Sequence, residues 1–276
     1  MFTRMSRFRH LRAVVLDWAG TAVDFGSIAP VEAFARAFRH FGLDVEAGDI
    51  RAFMGLSKRE HTRELMRLEG LTSRWIDAYG RQPREEDVDG VYAILESLLP
   101  LVAAERCDPV PGLLDLVDAL RRDGVRIGST TGYSAEVMAA VVEAAARRGY
   151  TADFVSTPRA GLTGRPAPWM MYECAKVLGV YPMTAIVKLG DTPADMEEAR
   201  NAGAWAVGFA MSGNECGLDI EGFRALDPVR ARGIRGAASA RLMAAGAHFV
   251  VDGPWDCLPA LERIEELLAS ASPRNP

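Results

Sequence analysis

Four polar residues in this sequence belong to types that can act on a phosphoryl group. Asp17 directly follows the apolar run Ala13–Leu16, and Asp191 follows a second apolar run and a glycine. Thr131 follows a third run, and Arg165 precedes a stretch with helical spacing. A carboxylate can attack phosphorus and form an aspartyl-phosphate, while an arginine offers a planar charged fork to phosphoryl oxygens. The set therefore indicates a candidate site for phosphoryl chemistry.

Each of these signals is weak when it is taken alone. An aspartate at the end of a strand is more often a helix cap or a turn former. The spacing Gly190-Asp191-x-x-x-Asp195 also fits a capping carboxylate followed by a surface charge. All of the signals in order, at the ends of consecutive predicted strands, are hard to obtain by chance, so we interpret them together.

The elements that must position these residues alternate between strand and helix. Short, wholly apolar runs are typical of strands buried in a parallel sheet, and the segments between them carry helical spacing. Repeated βα units of this kind predict an α/β fold with a doubly wound parallel sheet. Ligands of such sheets bind at the carboxyl ends of the strands, where the polar residues stand. Predicted strands span 13–16, 125–129, 153–156, 185–189, 205–209 and 248–251, and predicted helices span 113–122, 135–147, 196–202 and 258–268.

The segment 26–102 departs from this alternation because it carries helical patterns and no convincing strand. We therefore predict two domains. Residues 1–25 and 103–276 form an α/β core, and residues 26–102 form an all-helical cap domain inserted after the first strand. Breaks between the helices of the cap are expected near Gly42, Gly55, Gly70 and Gln82-Pro83.

Composition and charge exclude several classes of protein. The chain has 276 residues, of which 49% are hydrophobic and 25% are charged, as in globular domains. A formal net charge of -5 gives no footprint for nucleic acid or an anionic membrane, and no apolar stretch approaches the length of a membrane span. The cysteines lie far apart, which favours free thiols in a reducing compartment. The sequence therefore predicts a cytoplasmic protein.

The four polar residues resemble, in their order and spacing, the four motifs of the haloacid dehalogenase superfamily. The resemblance implies that Asp17 is the covalent nucleophile. It also implies that Thr131 and Gly132 offer a hydroxyl and an amide to the transferring phosphoryl group. The Arg165 guanidinium is expected to bind the same oxygens.

A divalent cation is expected because a carboxylate must approach an anionic phosphoryl group. Mg²⁺ prefers a few oxygen ligands plus waters, and the resemblance implies that Asp17, the main-chain oxygen of Ala19 and Asp191 supply them. Asp195 lies one helical turn beyond Asp191 and is expected to orient a neighbour or a bound water. A solvent-facing helix residue is the alternative for Asp195.

One position departs from the pattern of the superfamily. Its phosphatases and mutases usually read D-x-D-G-T, and the second aspartate protonates the leaving alkoxide. This chain reads Asp17-Trp18-Ala19-Gly20-Thr21. Alanine in place of the acid implies either an inactive protein or a leaving group that is not oxygen.

The inserted helical segment favours a leaving group that is not oxygen. The stretch Met54-Gly55-Leu56-Ser57-Lys58-Arg59-Glu60-His61 resembles the cap motif of the phosphonatase family, whose members cleave the carbon–phosphorus bond of phosphonoacetaldehyde. D-W-A-G-T, G-S-T-T-G-Y, G-R-P-x-P-W-M and K-x-G-D-T resemble the same family, and the similarity runs from about Val14 to Val251. The resemblance implies that Met54 and Tyr133 line the substrate pocket and that the protein is a homodimer.

Lys58 stands where the resemblance places a Schiff-base lysine. On its own, a lysine on a basic amphipathic helix is more simply a solvated surface residue. A carbon leaving group needs an electron sink, and an imine between Lys58 and the aldehyde supplies one without an acid at position 19. His61 lies three residues on, on the same helical face, and is expected to shuttle protons. A surface histidine is the alternative.

The sequence therefore predicts hydrolysis of phosphonoacetaldehyde to acetaldehyde and phosphate, through a lysine imine and an aspartyl-phosphate. A phosphomonoesterase or phosphomutase of the same superfamily is the first alternative, and Ala19 argues against it. A non-catalytic relative is the second alternative, and the intact phosphoryl motifs argue against it. A Schiff-base aldolase would have no use for those motifs.

Overall fold

The computed structural model describes residues 6–271, so residues 1–5 and 272–276 of the predicted core lie outside the described part. No helix in this range is both long enough and apolar enough to cross a membrane. The strands are β1 (Ala13–Leu16), β2 (Arg126–Thr130), β3 (Phe154–Ser156), β4 (Ile186–Gly190), β5 (Trp205–Phe209) and β6 (Phe249–Val251). The helices are α1 (Ile28–His40), α2 (Ala47–Ala52), α3 (Lys58–Arg67), α4 (Glu69–Tyr79), α5 (Glu85–Glu105), α6 (Leu113–Arg122), α7 (Ala135–Arg147), α8 (Trp169–Leu178), α9 (Pro193–Ala202), α10 (Ile220–Arg224), α11 (Pro228–Ala244) and α12 (Leu258–Ala271).

The strands form one parallel sheet in the order β3-β2-β1-β4-β5-β6. β1 is central, and its last residue, Leu16, is in register with Ser129 of β2 and Leu189 of β4. The chain therefore leaves these three strands at the same edge of the sheet. The strand order reverses between β1 and β4, and ligands bind at such a switch point in doubly wound sheets. The predicted α/β fold class is confirmed, and Asp17 and Asp191 lie at the switch point.

Helices cover both faces of the sheet because consecutive residues of a strand point to opposite sides. Val14 and Leu16 of β1 belong to the apolar cluster that includes buried residues of α6, α7 and α12. Ala13 and Val15 belong to a second cluster that includes buried residues of α8. All of these β1 side chains are fully buried, so dense packing on both faces fixes the positions of the strand ends.

The helices α1 to α5 form the predicted all-helical segment between β1 and β2, and we call this segment the helical insertion. α1 packs along α5, and Phe34, Phe38 and Leu95 are fully buried in the apolar cluster that also contains Val14. α5 continues to Glu105, past the predicted boundary at 102, and also packs on α7. The insertion therefore shares its packing with the core along α5, and the division into two domains remains a prediction.

The break between helices that is expected near Gly70 falls at Leu68, whose backbone is extended, and Gly70 itself lies in the first turn of α4. A glycine is tolerated there because the first amides of a helix need no partner inside it. α11 has no apolar stripe, since it buries only Ala238 and Leu242, and periodicity does not predict it. Its available signal is Asp227-Pro228, an N-cap aspartate followed by a proline in the first turn.

Two glycines let the helical insertion touch the edge of the sheet. Gly55 has a φ of +94°, and a side-chain carbon there would lie 2.5 Å from Thr192 Oγ1 at the start of α9. A side-chain carbon on Gly132, which follows β2, would overlap the carbonyl oxygen of Leu56. Since either carbon would push the two backbones apart, the loop between α2 and α3 sits directly over the strand ends.

Polar contacts hold the helical insertion on two further sides. Ser134, at the start of α7, donates a hydrogen bond of 2.6 Å to Glu96 of α5. Arg51 of α2 donates to the carbonyl oxygens of Gly26, at 2.9 Å, and Gly217, at 3.3 Å. The insertion is therefore tied to the core along α5 and at its hinge, the residues around Gly26 where it follows β1.

We expect Gly55→Ala to cost more stability than Gly42→Ala. Both glycines have positive φ, +94° and +74°, so a side-chain carbon strains either backbone by about 1–2 kcal/mol. Such a carbon at Gly42 has nothing within 4 Å, whereas at Gly55 it meets Thr192. Overpacking should therefore take a further ~1–3 kcal/mol from the free energy of unfolding of Gly55→Ala. Equal losses for the two variants in urea denaturation would contradict the close contact.

Candidate active site

Asp17 extends from the end of β1 into a closed turn. Its amide donates to the carbonyl oxygen of Leu189 at 3.0 Å, and the amide of Ala22 closes the turn on the carbonyl oxygen of Trp18 at 2.8 Å. Asp17 is buried, with its side chain 10% exposed, and its Oδ1 lies 2.8 Å from Nη1 of Arg165. The structure therefore brings together the predicted nucleophile and the predicted phosphoryl-binding arginine.

Asp191 follows β4 and is held on both of its carboxylate oxygens. The Thr21 hydroxyl donates to Oδ1 at 2.7 Å, and the main-chain N–H of Asn214 donates to Oδ2 at 2.7 Å. A side-chain carbon on Gly20 or on Gly213 would overlap Oδ2, so two glycines form the walls around this carboxylate. Asn214 and Gly213 come from the loop after β5, which the sequence motifs did not point to.

The carboxylates of Asp17, Asp191 and Asp195 meet in one place, with an oxygen of each within 4.8 Å of the others. Burial, with the charge of Asp195 next, raises the pKa of Asp17 above its ordinary value. Burial and the charge of Asp17 raise the pKa of Asp191 well above its ordinary value. A buried group of oxygen donors with unbalanced negative charge fits a hard divalent cation. Ala19 lines a small cavity together with Asp17, and its main-chain oxygen as a ligand remains a prediction.

Asp195 is fully buried, so the solvent-facing alternative is wrong. Its Oδ2 accepts from the hydroxyl of Thr192 at 2.6 Å in a capping box that begins α9. Its Oδ1 lies 2.9 Å from Arg165 and 3.1 Å from Lys188. Burial acts to raise the pKa of Asp195, but these two cations outweigh it and leave the pKa below its ordinary value. Because both of its oxygens are engaged, Asp195 fits the predicted orienting role.

A buried ionic network of Arg165, Lys188, Asp195 and Glu198 contacts Asp17 through Arg165. Lys188 Nζ lies 3.4 Å from Glu198 and donates to the hydroxyl of Thr130 at 2.6 Å. Arg165 Nε lies 3.0 Å from Glu198, and Arg165 Nη2 also donates to Thr130, at 2.6 Å. The side chains of Arg165, Lys188 and Glu198 are at most 1% exposed. Arg165 is therefore held by partners on every nitrogen of its guanidinium.

Lys188, Glu198 and Thr130 are additions to the predicted site, although Lys188 and Thr130 stand in the K-x-G-D-T and G-S-T-T-G-Y motifs. A signal existed for Lys188, because a lysine inside an apolar strand such as Ile186–Gly190 must have a buried partner. A signal also existed for Glu198, which stands three residues after Asp195 and therefore shares its helical face. No signal in the sequence distinguished Thr130 from Thr131, because the two threonines are adjacent.

A small cavity lies above the strand ends. Its volume is about 20 Å³, which is room for about one water molecule. A wider cleft shares Lys58, Gly132 and Arg165 with it and opens to the surface. The cavity is lined by Asp17, Ala19, Thr131, Gly132, Tyr133, Arg165 and Thr192 from the core, by Ser27 and Pro30 after the hinge, and by Met54, Gly55 and Lys58.

The loop after β2 places Thr131 and Gly132 in the cavity. Thr131 Oγ1 accepts from the amide of Tyr133 at 3.1 Å, which fixes the turn. Their contact with phosphoryl oxygens remains a prediction. Ser27 is an addition to the predicted set, and its buried hydroxyl has no hydrogen-bond partner among the described residues. Its φ of +51° is unusual for a residue other than glycine.

Lys58 is 5% exposed, so the solvated-surface alternative is wrong. Its Nζ lies 3.9 Å from the sulfur of Met54 and above the ring of Tyr133, 5.1 Å from the ring centroid. Burial lowers the pKa of Lys58 to about 8, and Arg165 also lowers it, whereas Asp17 acts in the opposite direction. A larger fraction of the amine is therefore neutral near neutral pH than for an exposed lysine.

His61 is fully buried, so the surface-histidine alternative is wrong. Its Nε2 lies 2.8 Å from the carbonyl oxygen of Ile50, and its ring packs on Phe34 with a centroid separation of 4.1 Å. Burial lowers the pKa of His61 well below its ordinary value, and the charge of Lys58 lowers it further. His61 is not among the described residues that line the cavity. Its predicted proton shuttling would therefore need an intervening water or a movement of the ring.

Comparisons with known proteins agree with this geometry. Residues 11–203 match the family model of haloacid dehalogenase-like hydrolases. The phosphonoacetaldehyde hydrolase of Nitratidesulfovibrio vulgaris is 45% identical over 94% of this chain and 92% of that protein. A phosphonoacetaldehyde hydrolase-like protein of Syntrophobacter fumaroxidans is 42% identical over 98% of each chain. The crystal structure of a phosphonoacetaldehyde hydrolase-like protein from Oleispira antarctica is 33% identical, with a TM-score of 0.93, over 99% of this chain and 98% of that one.

These similarities cover the helical insertion as well as the α/β core. An identity of 45% over nearly the whole length far exceeds what a shared fold alone requires. The chain is therefore a hydrolase that belongs to the phosphonoacetaldehyde hydrolase family within the haloacid dehalogenase-like hydrolases.

Proposed function

We propose that this hydrolase cleaves the carbon–phosphorus bond of phosphonoacetaldehyde and releases acetaldehyde and phosphate. The observation that carries the proposal is the Lys58 amine, which lines the same small cavity as the Asp17 carboxylate and the Arg165 guanidinium. An amine, a nucleophile and a phosphoryl-binding cation in one cavity suit a short substrate with an aldehyde next to a phosphonate. The substrate named for the curated relatives supports the same assignment.

The phosphoryl half of the reaction uses residues at the strand ends. Asp17, held by Arg165 at 2.8 Å, attacks phosphorus and becomes an aspartyl-phosphate. The Arg165 guanidinium, the Thr131 hydroxyl and the Gly132 amide bind the phosphoryl oxygens. We propose that Mg²⁺ is the divalent cation, held by Asp17, Asp191 and the main-chain oxygen of Ala19. When bound, it neutralises negative charge between the nucleophile and the phosphonate.

The carbon half of the reaction uses Lys58. The neutral amine adds to the aldehyde carbon, and loss of water with uptake of one proton from solvent leaves a protonated imine. When Asp17 attacks, the carbon–phosphorus bond breaks, and its electron pair moves through the adjacent carbon to the imine nitrogen, which gives a neutral enamine. A proton then adds to carbon, and one water releases acetaldehyde and free Lys58. A second water hydrolyses the aspartyl-phosphate.

The remaining residues of the cavity are proposed to shape this imine site. Met54 and Tyr133 lie against the Lys58 amine and exclude water from it, which favours the neutral form. His61 binds the carbonyl oxygen of Ile50 and so fixes the face of α3 beneath Lys58. Proton shuttling by His61 remains part of the proposal, through water.

The alternatives use fewer features of the site. A phosphomonoesterase or phosphomutase would need an acid where Ala19 stands, and it would have no use for a buried Lys58. A non-catalytic relative would not need the ionic network that holds Arg165. Phosphate release from a panel of phosphate esters, tested beside phosphonoacetaldehyde, separates these functions. Faster release from an ester would favour the first alternative, and no release from any compound would favour the second.

We propose a homodimer in the cytoplasm. Trp169, Tyr172 and Tyr181 leave large aromatic surfaces exposed on and after α8, which supports a second copy as the partner of this surface. All four cysteines are free and buried, as expected in a reducing compartment. A monomeric mass in light scattering would contradict the dimer, and recovery outside the cytoplasm in cell fractionation would contradict the compartment.

We expect Mg²⁺ to raise the melting temperature of the wild type and not that of Asp191→Asn. The pKa values of Asp17 and Asp191 are raised by burial and by neighbouring carboxylates, so their ionisation costs stability as pH rises. A bound cation offsets this cost and competes with protons, so its effect should grow from acidic to mildly alkaline buffer. Thermal unfolding in chelator and in MgCl₂ measures it. An equal rise in Asp191→Asn, or full turnover in chelator, would contradict the site.

We expect Lys58→Arg to lower kcat for phosphate release from phosphonoacetaldehyde by roughly 10³-fold or more, because a guanidinium forms no imine. Inorganic phosphate should still bind, since its proposed ligands are in the core. Lys176→Arg is the matched control, because the same change falls on an exposed lysine. Unimpaired cleavage by Lys58→Arg would show that the lysine has another role.

We expect Ala19→Asp to lower kcat/KM for phosphonoacetaldehyde, because it places another negative charge beside Asp17 and the phosphonate. If the leaving group is a neutral enamine, an acid at this position has nothing to protonate in the cleavage step. Steady-state kinetics against Ala19→Asn, which adds similar bulk without the charge, isolates the effect of charge. Faster cleavage by Ala19→Asp than by the wild type would contradict the enamine.

A further inference from the structure

Lys188 is the residue of the ionic network that the proposed function leaves without a task. It lies inside β4, and its side chain is fully buried. Its ammonium lies 3.1 Å from Asp195 and 3.4 Å from Glu198, and it donates to Thr130 at 2.6 Å. A buried ion pair is often no more stable than apolar residues of the same volume, so stability alone does not account for a lysine here.

The charges of the network divide into two groups. Arg165, Lys188, Asp195 and Glu198 contribute two cations and two carboxylates and together are neutral. The carboxylates outside this group are the ones at the ends of β1 and β4, and their combined charge matches a divalent cation. Without Lys188, the buried quartet would carry an excess negative charge directly beside the cation site.

We propose that Lys188 is a positioning residue. It neutralises Asp195 and Glu198, so that Arg165 stays turned toward Asp17 and the phosphoryl group instead of toward these two carboxylates, and it limits the negative charge beside the cation site. The inference rests on the proposed function for the identity of the bound anion and cation. It gives the lysine in the middle of β4 a task that neither the nucleophile nor the imine-forming lysine performs.

The geometry of Arg165 supports this role. Its Nη1 lies 2.8 Å from Asp17 and 2.9 Å from Asp195, so one nitrogen is shared between the nucleophile and the network. Lys188 also neutralises Asp195, because its ammonium lies beside the same Oδ1. If Lys188 is removed, Asp195 and Glu198 have only Arg165 as a cation, and they should draw the guanidinium away from Asp17 and from the phosphoryl group.

The role predicts effects of opposite sign on two ligands. Removing the Lys188 charge makes the site more negative. This should tighten the binding of Mg²⁺ and weaken the binding of inorganic phosphate. Removing the Glu198 charge should weaken Mg²⁺ and leave phosphate equal or tighter. A general loss of structure would instead weaken the binding of both ligands. Opposite changes in the two affinities therefore distinguish a positioning role from a loss of folding.

The experiment is calorimetric titration with MgCl₂ alone, and then with inorganic phosphate at saturating Mg²⁺. The variants are Lys188→Met, Glu198→Gln and their double, with Lys176→Met as a control on an exposed lysine. We expect Lys188→Met to lower the Kd for Mg²⁺ and raise the Kd for phosphate, each by about tenfold. The double variant, which restores neutrality, should return the Kd for Mg²⁺ toward that of the wild type.

Parallel weakening of both ligands in a folded Lys188→Met, or no change in either, would overturn the proposal. If Lys188→Met does not fold, Glu198→Gln and the double carry the same test, and a Glu198→Gln that leaves Mg²⁺ binding unchanged overturns it. No measurement here uses phosphonoacetaldehyde. Failure of the imine chemistry would therefore appear in the Lys58 variants, and failure of this inference would appear only in these titrations.

Discussion

The structure depends on one electrostatic constraint, the crowding of four buried carboxylates at the ends of β1 and β4 and in α9. Ionised carboxylates repel strongly where little water is present, so the fold must place cations among them. Arg165 and Lys188 provide two fixed cations, and a divalent ion would provide the rest. Asp17, the proposed nucleophile, is consequently held in position by Arg165 before any substrate arrives, as electrostatic preorganisation requires.

Exclusion of water also changes the pKa of the Lys58 amine, which lines the same cavity as Asp17. Lys58 belongs to the helical insertion, and its burial lowers the pKa of its amine to about 8. Gly55 and Gly132 allow the insertion to approach the strand ends closely enough for that burial. In the proposed mechanism the core supplies the phosphoryl chemistry and the insertion supplies the electron sink, so no acid is needed where Ala19 stands.

The sequence predicted the sheet, the helical insertion and the residues at the strand ends, because apolar runs and motif spacing report local structure directly. It also predicted that Lys58 belongs to the site, although only through family resemblance, since a basic helix by itself suggests a solvated face. It missed Lys188 and Glu198, whose partnership depends on a contact between β4 and α9 that periodicity does not encode. It predicted the helical face on which His61 lies but not its complete burial, which results from packing of its ring against Phe34.

The most direct test of the account is chemical trapping of the imine. The chain has only three lysines, Lys58, Lys176 and Lys188, so a reduced adduct can be assigned without ambiguity. The protein would be incubated with phosphonoacetaldehyde and borohydride, digested, and mapped by mass spectrometry. The account predicts a reduced two-carbon adduct on Lys58, formed more readily as pH rises toward about 8. An adduct on Lys176 or Lys188, or phosphate release without any lysine adduct, would contradict it.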